Sequence, residues 1–505
     1  MKNKQIKLGA IISYVAIFVN IAAMLIYTPW MIEQIGEESY GLYTLANSLI
    51  ALFLVDFGLS SATSRFVAKY RAEGRQDKVD SFLGAVYKLY MAISAVIFVV
   101  LLVIYFLIDE IYVKLTPAEI EQFKVVYIIS AAFAVINFPF VTFNGILNAY
   151  EKFIQLKIAD LIYRVLLVGI TIAALMMGYG LYALVSVHAI VGLIVIAYKF
   201  IVLKICTPVK ANYKQSEKGI YKSIFSFSIW VTISSLAQRL VFNITPSVLG
   251  IVANSVAIAV FGIVSTIEGY TYTITSAING MFMPKIARIY ANKEGEQDIN
   301  PLLLKVGRFQ YGLNGLIIAG FAVVGLRFID LWVGSDFRDA YVGTLLVLIP
   351  GLFFNSLQIA NTAMIVQNKV KIQSFVNVGM GVVNVILSFV FSYFFGVIGA
   401  CLSIFVAYML RSIAFHIIYK KCLNMDMLAV IKQCYIKLSI PIIATVALGL
   451  IVNHFMPLGG WLGFLVVGCI TVAIFAVLVL LVGFTGQEKK KLVGFLKNKI
   501  RRKAQ

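Results

Sequence analysis

Arginines and carboxylates sit in this sequence where the surrounding residues leave them no water. Arg164, Arg239 and Arg411, together with Asp56, Asp160 and Glu268, each fall inside a long apolar run, and Arg65 lies near the end of the run that holds Asp56. A charge near the middle of a bilayer costs about 2.5–3.5 kcal/mol on insertion scales, so each such side chain faces a cavity or a partner. A guanidinium is a planar fork of donors that matches phosphate in bidentate fashion, so a convergent set of arginines points to an anionic headgroup. Asp56, Glu268 and Asp160 would then either take up a proton or Na+ or act as counter-charges. Asp160 and Arg164 are four residues apart on one helical face, where they can neutralise each other. Arg65 can snorkel to the inner headgroups. His188 reads as a hydrogen-bonded packing residue, and His416 completes the intramembrane set.

The elements that must hold these groups follow from composition. Of the 505 residues, 61% are hydrophobic and only 13% are charged, and the mean hydropathy is +0.92. A soluble domain is about 45–50% apolar and about 25% charged, so that class is excluded. Apolar stretches of about 20 residues, each able to cross a bilayer as a helix, run from Leu8–Ile32 and Gly41–Ser64 to Ile436–Val452 and Trp461–Val482. The set includes Ile224–Phe242 and Val256–Met283, separated by the polar but unbroken Asn243–Ser255, and Ser374–Phe395 followed by Gly399–Ile418. The fold class is an all-α polytopic membrane protein with about 14 transmembrane helices. Leu8–Ile32, preceded by Lys2, Lys4 and Lys7, has no A-x-A cleavage site and reads as an uncleaved first span.

A net charge of +20 would suggest nucleic acid in a soluble protein. Here its distribution explains it. Lys114, Lys124, Arg327 and Arg338 fall on one side of the membrane, Arg164, Arg239 and Arg411 within spans, and the rest of the 43 Lys and Arg on the side holding both termini. By the positive-inside rule that side is cytoplasmic. No nucleic-acid partner is expected. The cysteines Cys206, Cys401, Cys422, Cys434 and Cys469 lack metal-type spacing and read as small apolar packers. Neither a metal nor a cofactor is expected.

The chain also repeats itself. Thr28-Pro29, Asn144, Lys152 and Ala183 recur at one constant offset as Thr245-Pro246, Asn361, Lys369 and Ala400. A unit of six spans duplicated in parallel gives two pseudo-symmetric lobes, with the substrate site expected at a central cavity between them. The boundaries read as 1–204 for the N-lobe, 205–222 for a cytoplasmic linker and 223–419 for the C-lobe. Residues 420–482 hold two further helices, and 483–505 form a basic cytoplasmic tail. The tail from Glu488 to Gln505 is read either as an interfacial helix held by anionic lipid or as a topology-fixing charge run.

No Gly-rich phosphate loop, HExxH or nucleophile elbow is present, so ATP-driven pumping by this chain alone is not expected. A membrane glycosyltransferase or polymerase would need carboxylates on an outer loop. Glu33, Glu37 and Glu38 are the candidates, and the turn-like Ile35–Ser39 connection favours a solvated loop instead.

Two stretches carry a family resemblance. Gly36-Glu37-Glu38-Ser39-Tyr40-Gly41-Leu42-Tyr43 is followed by Asp56-Phe57-Gly58-Leu59-Ser60-Ser61-Ala62-Thr63-Ser64-Arg65-Phe66-Val67-Ala68-Lys69-Tyr70, and Leu331-Trp332-Val333-Gly334-Ser335-Asp336-Phe337 comes later. Together they resemble the Wzx-type polysaccharide flippases of the multidrug/oligosaccharidyl-lipid/polysaccharide exporter superfamily. The resemblance implies two six-helix lobes around a central cavity, here with two C-terminal helices. It also implies a non-enzymatic, multi-pass inner-membrane protein that moves undecaprenyl-pyrophosphate-linked oligosaccharide from the inner to the outer leaflet by alternating access. Such transport serves O-antigen or capsule synthesis, alongside other polysaccharide-assembly proteins. Cavity arginines in such flippases are thought to hold pyrophosphate or acidic sugars; Arg164, Arg239 and Arg411, with Arg65, are the candidates by depth rather than by a shared motif. Lipid II flippases carry arginines within helix one, whereas Leu8–Ile32 has no Lys or Arg. Drug exporters of the superfamily often use an acid there, and none precedes Glu33. A cation-coupled multidrug exporter is the alternative within the superfamily.

Overall fold

The computed structural model of the protein describes residues 21–212, 220–276, 299–367, 369–456 and 458–483, apart from 22, 55 and 57, and between 276 and 299 only 282, 286 and 288–290. Most of the Leu8–Ile32 span, the N-terminal lysines and the tail from Glu488 to Gln505 lie outside the described residues. Those described are helices and short turns with no strand, as hydrocarbon requires of a backbone that must satisfy its own hydrogen bonds.

Helix α1 covers residues 23–35. It is followed by α2 (Glu37–Phe53), α3 (Leu59–Ala72), α4 (Gln76–Ile111), α5 (Pro117–Asn137), α6 (Thr142–Ala149), α7 (Phe153–Met176) and α8 (Leu181–Cys206). Then come α9 (Ile220–Phe242), α10 (Thr245–Val252), α11 (Ser255–Ser276), α12 (Asn300–Trp332), α13 (Asp339–Ser356), α14 (Gln358–Val366) and α15 (Val370–Leu423). The last two are α16 (Met427–Phe455) and α17 (Gly460–Gly483). Among the described residues, 11 helices are long and apolar enough to cross a membrane. One is α15, whose 54 residues would reach roughly 80 Å against a hydrocarbon core of about 30 Å. It breaks at Gly396 (φ 54, ψ −133), between the two spans read from the sequence, Ser374–Phe395 and Gly399–Ile418.

The structure redraws three sequence-level expectations. The Ile35–Ser39 connection is not a loop: a single residue, Gly36 (φ 82), joins α1 to α2, and Glu37 and Glu38 form the first turn of α2, where negative charge suits the helix dipole. Asn243–Ser255 is not a polar connection either. Most of it is α10, with Pro246 in its first turn and Thr245, Ser247 and Leu249 buried. Thr245 is satisfied locally, donating to the Val241 carbonyl at 2.6 Å, and Ser247 accepts from the distant Tyr112 hydroxyl at 3.4 Å. Finally, Gly41–Ser64 is not one continuous helix; it breaks between α2 and α3.

By internal contact the chain forms two compact units. One comprises the described residues of Ile26–Gly262 and Val370–Ser403; the other comprises those of Met1–Leu25, Ile263–Lys369 and Ile404–Gln505. The sequence duplication has a local counterpart in each. Lys152 precedes α7 and donates its N–H to the Leu147 carbonyl at 2.9 Å; Lys369 precedes α15 and donates to Met364 at 2.8 Å, the same five-residue closure.

In the first unit, Gly41 of the flippase-like stretch lets α2 lie directly on the start of α11. A Cβ there would come within 2.1 Å of the Ser255 carbonyl oxygen, so backbone would have to move. Gly41→Val is expected to cost about 1–3 kcal/mol, the range for overpacking, read as a lower unfolding midpoint in detergent. Gly169→Ala on α7, where a Cβ meets nothing within 4 Å, is the control and should not lower the midpoint, since alanine suits a helix interior better than glycine. In the second unit, α12 packs against α16 and α17 in a similar way, through Gly449 against Val323 and a buried cluster of Val323, Val324 and Val467.

Candidate functional site

The interrupted second span is the most developed polar feature of the first unit. Leu54 leaves helical geometry (φ −83, ψ 48) at the end of α2, and Gly58 takes a left-handed conformation (φ 64) before α3. A side chain at Gly58 would strain that turn. Between them, Asp56 accepts the Ser60 N–H on both carboxylate oxygens at 3.3 Å and the Tyr90 hydroxyl at 2.7 Å. The carboxylate thus caps the N-terminus of α3, where the helix carries partial positive charge. At the other side of the break, the Arg239 guanidinium on α9 donates to the Ala51 carbonyl in the last turn of α2. An acid therefore serves the N-terminal end of one half-helix and a base the C-terminal end of the other. Irregular backbone at membrane depth is tolerated only where protein or a water-filled cavity covers it, and such broken helices commonly line transport sites.

Below the break lies a cavity of about 460 Å³ lined by Ser60, Ser61, Ser64, Arg65, Asn148 and Phe153. Its hydroxyls and Arg65 come from one face of α3, and Asn148 from α6. The two helices approach closely because residue 145 is glycine: a Cβ there would lie 2.5 Å from the Ser60 carbonyl. Hydroxyls, an amide, a guanidinium and an aromatic ring suit sugar hydroxyls and phosphate oxygens, and the volume falls in the usual range for small-molecule sites, about 300–1,000 Å³.

Arg164 is exposed on α7. Its expected partner is taken: Asp160 pairs with Lys157 at 3.4 Å, in the preceding turn, and both are exposed. An exposed guanidinium halfway along a span requires water or an anion in front of it. His188 is a packing residue, as its context predicts, bonded to the Tyr163 hydroxyl at 2.8 Å and edged by Phe133.

The second unit holds Arg411, which is 4% exposed. Its guanidinium lies 4.0 Å from the Phe354 ring centroid, 5.3 Å from Phe415 and 5.4 Å from Tyr408. The Nε is buried without a hydrogen-bond partner, and no carboxylate pairs with the side chain among the described residues. Glu268 on α11 is half-buried and makes no hydrogen bond or ion pair among them. His416 bonds the Ser412 carbonyl at 2.6 Å and the Tyr435 hydroxyl at 2.7 Å.

Sequence reasoning missed Asn148 and Phe153 of the cavity, and two further residues elsewhere. Tyr90 gave no signal beyond the general need of a buried tyrosine hydroxyl for a partner. Arg308, read with the cytoplasmic charges, is 8% exposed; it clips α12 to the Gln433 carbonyl and, at 2.7 Å, to that of Gly483. The described residues contain no cluster of His, Cys, Asp and Glu able to hold a metal ion.

Several solved structures share the fold. An inward-facing multidrug resistance MATE family transporter of the MOP superfamily superposes with a TM-score of 0.69 at 14% identity, covering 80% of this chain and 94% of its own. The lipid II flippase MurJ, in an inward closed conformation, gives 0.61 at 14% identity over 88% and 96%. A MOP superfamily transporter from Pyrococcus furiosus gives 0.58 at 14% identity over 81% and 93%. At these identities the likeness concerns the fold. No curated protein matches the sequence. The family model described as polysaccharide biosynthesis protein matches residues 7–290, which takes in the interrupted span, its cavity and Arg239. With its apolar helices and this match over more than half its length, the chain is a multi-pass membrane protein that belongs to the polysaccharide biosynthesis protein family.

Proposed function

We propose that the protein is a flippase that carries undecaprenyl-pyrophosphate-linked oligosaccharide from the inner to the outer leaflet of the cytoplasmic membrane by alternating access, for surface polysaccharide synthesis. The observation that carries this reading is the Arg65 cavity at the interrupted span, inside the segment matched by the polysaccharide biosynthesis family. Pyrophosphate offers two anionic groups to guanidinium forks, and the neighbouring hydroxyls and amide suit a glycan. Arg164, exposed on α7, and Arg239 at the break supply further positive charge to the same unit. The basic residues concentrated on the side of both termini support a cytoplasmic location for those termini. The phosphate head enters from that side while the polyprenyl chain stays in lipid. Asp56 and Glu268 are the candidate sites for a coupling proton or Na+.

The test is translocation of a polyprenyl-pyrophosphate oligosaccharide in proteoliposomes holding the full chain. Wild type should move the glycan to the far leaflet, and Arg65→Ala and Arg164→Ala should each slow it about tenfold, the worth of one charge-assisted hydrogen bond. Normal rates in both variants would remove these arginines from the site. Efflux of cationic dyes without glycan translocation would instead make the protein a cation-coupled drug exporter.

A further inference from the structure

A second cavity in the first unit differs in kind from the polar one. It is a groove of about 1030 Å³ whose lining is mostly apolar and aromatic, including Met91, Phe98, Phe143 and Phe200, and whose one charged lining residue is Lys88. Its axis follows α4. Lys88, Met91, Ala95 and Phe98 recur at intervals of three and four, so they share one face of that helix. Helix α4 has 36 residues and is about 54 Å long, well over the roughly 30 Å of hydrocarbon. The excess lies toward Gln76, where the helix carries Asp77, Lys78 and Asp80. The uninterrupted apolar run begins just after Lys88, which places its ammonium at the cytoplasmic edge of the hydrocarbon.

From Lys88 to Phe98 the groove descends about 15 Å, the depth of one leaflet. Met91 is 60% exposed and Phe98 52%, and the exposed apolar stripe continues through Leu102 and Phe106. An apolar surface of this kind within a span faces lipid, so the groove opens to the bilayer. At its cytoplasmic end the chain after α8 folds back over α4. Asn212 donates its N–H to the Asp80 carbonyl at 2.9 Å and Lys210 donates its N–H to the Asp80 carboxylate at 3.0 Å. Val209 and Ala211 of that segment close the groove beside Lys88. Asp80 is thereby engaged and leaves the ammonium of Lys88 available to another anion.

We propose that this groove is a binding site for an anionic phospholipid of the inner leaflet, its phosphate on Lys88 and one acyl chain laid along Met91, Ala95 and Phe98. The charge at the rim, the depth of a single leaflet and the opening toward lipid all select that occupant over a soluble ligand. The site stands apart from the Arg65 cavity and does not depend on what the protein transports.

Native mass spectrometry of the full chain in detergent, titrated with phosphatidylglycerol and with phosphatidylcholine of the same acyl chains, tests it. Phosphatidylglycerol should be retained about fivefold more tightly, the worth of one basic residue at the surface. Lys88→Gln, at an exposed position, should abolish that preference, and Ala95→Trp, which fills the groove, should lower retention of both lipids. Equal retention by wild type, or an unchanged preference in Lys88→Gln, would overturn the proposal. Stronger retention of undecaprenyl phosphate than of phosphatidylglycerol, lost in both variants, would overturn the phospholipid assignment in favour of the transported lipid's chain.

Discussion

Asp56→Ala is expected to lower the stability of the folded protein by about 2–4 kcal/mol and to abolish transport. Two losses combine. The α3 N-terminus loses its cap, worth about 1 kcal/mol, and the hydroxyl of the fully buried Tyr90 loses the acceptor it meets at 2.7 Å, a further 1–3 kcal/mol or so for an orphaned polar group. Asp56→Asn separates architecture from ion coupling. An amide oxygen still accepts from Tyr90 and from Ser60, so the unfolding midpoint should stay within about 1 kcal/mol of wild type. The amide cannot take up a proton or hold Na+, so transport should lose its response to an imposed proton or sodium gradient. A folded Asp56→Asn protein that still answers to the gradient would leave Asp56 as a cap alone and move the coupling role to Glu268. Tyr90→Phe completes the cycle: it should cost less than Asp56→Ala, because the carboxylate keeps the Ser60 N–H.

How far the sequence reveals this site depends on the range of the interaction. The intramembrane charges are legible one by one, because charge stands out against an apolar run. The break at Asp56 was missed, because hydropathy reads Gly41–Ser64 as one span; the signal that could have found it is Asp-Phe-Gly-Leu-Ser, which joins a cap residue to a glycine free to turn left-handed. Pairings were less accessible. Helical spacing proposes Asp160 with Arg164, yet Lys157 in the preceding turn holds the acid, and spacing alone does not rank two cations on one helix. Burial of the polar-looking Asn243–Ser255 segment depends on what α2 and Tyr112 place against it. Arg308 reads as one more cytoplasmic charge because both of its carbonyl partners lie more than a hundred residues away. Local rules see a residue's cost of burial; they do not see the distant group that meets it.

Arg411→Met should leave the protein at least as stable as wild type while lowering transport more than a hundredfold. A guanidinium over aromatic faces gains about 2 kcal/mol when desolvated, and Phe354, Tyr408 and Phe415 supply those faces. Removing a cation from water still costs several kcal/mol after relaxation, and replacing buried charges by apolar groups of similar volume is often neutral or stabilising. Among the described residues, with no carboxylate paired to it and its Nε unsatisfied, Arg411 has the rings to offset that cost. Methionine fills the same channel of space and packs well against aromatic rings. A cation kept at a net expense to the fold is expected to meet an anion at some point in the transport cycle. Arg411→Lys discriminates further: it keeps the charge but loses the plane that stacks between rings and the fork that grips phosphate, so it should recover only part of the rate. Thermal unfolding in detergent and translocation in proteoliposomes read the two arms independently. If Arg411→Met lost stability along with transport, the arginine would be a structural member of its aromatic cluster, and the anion would have to be sought at Arg65 and Arg164 alone.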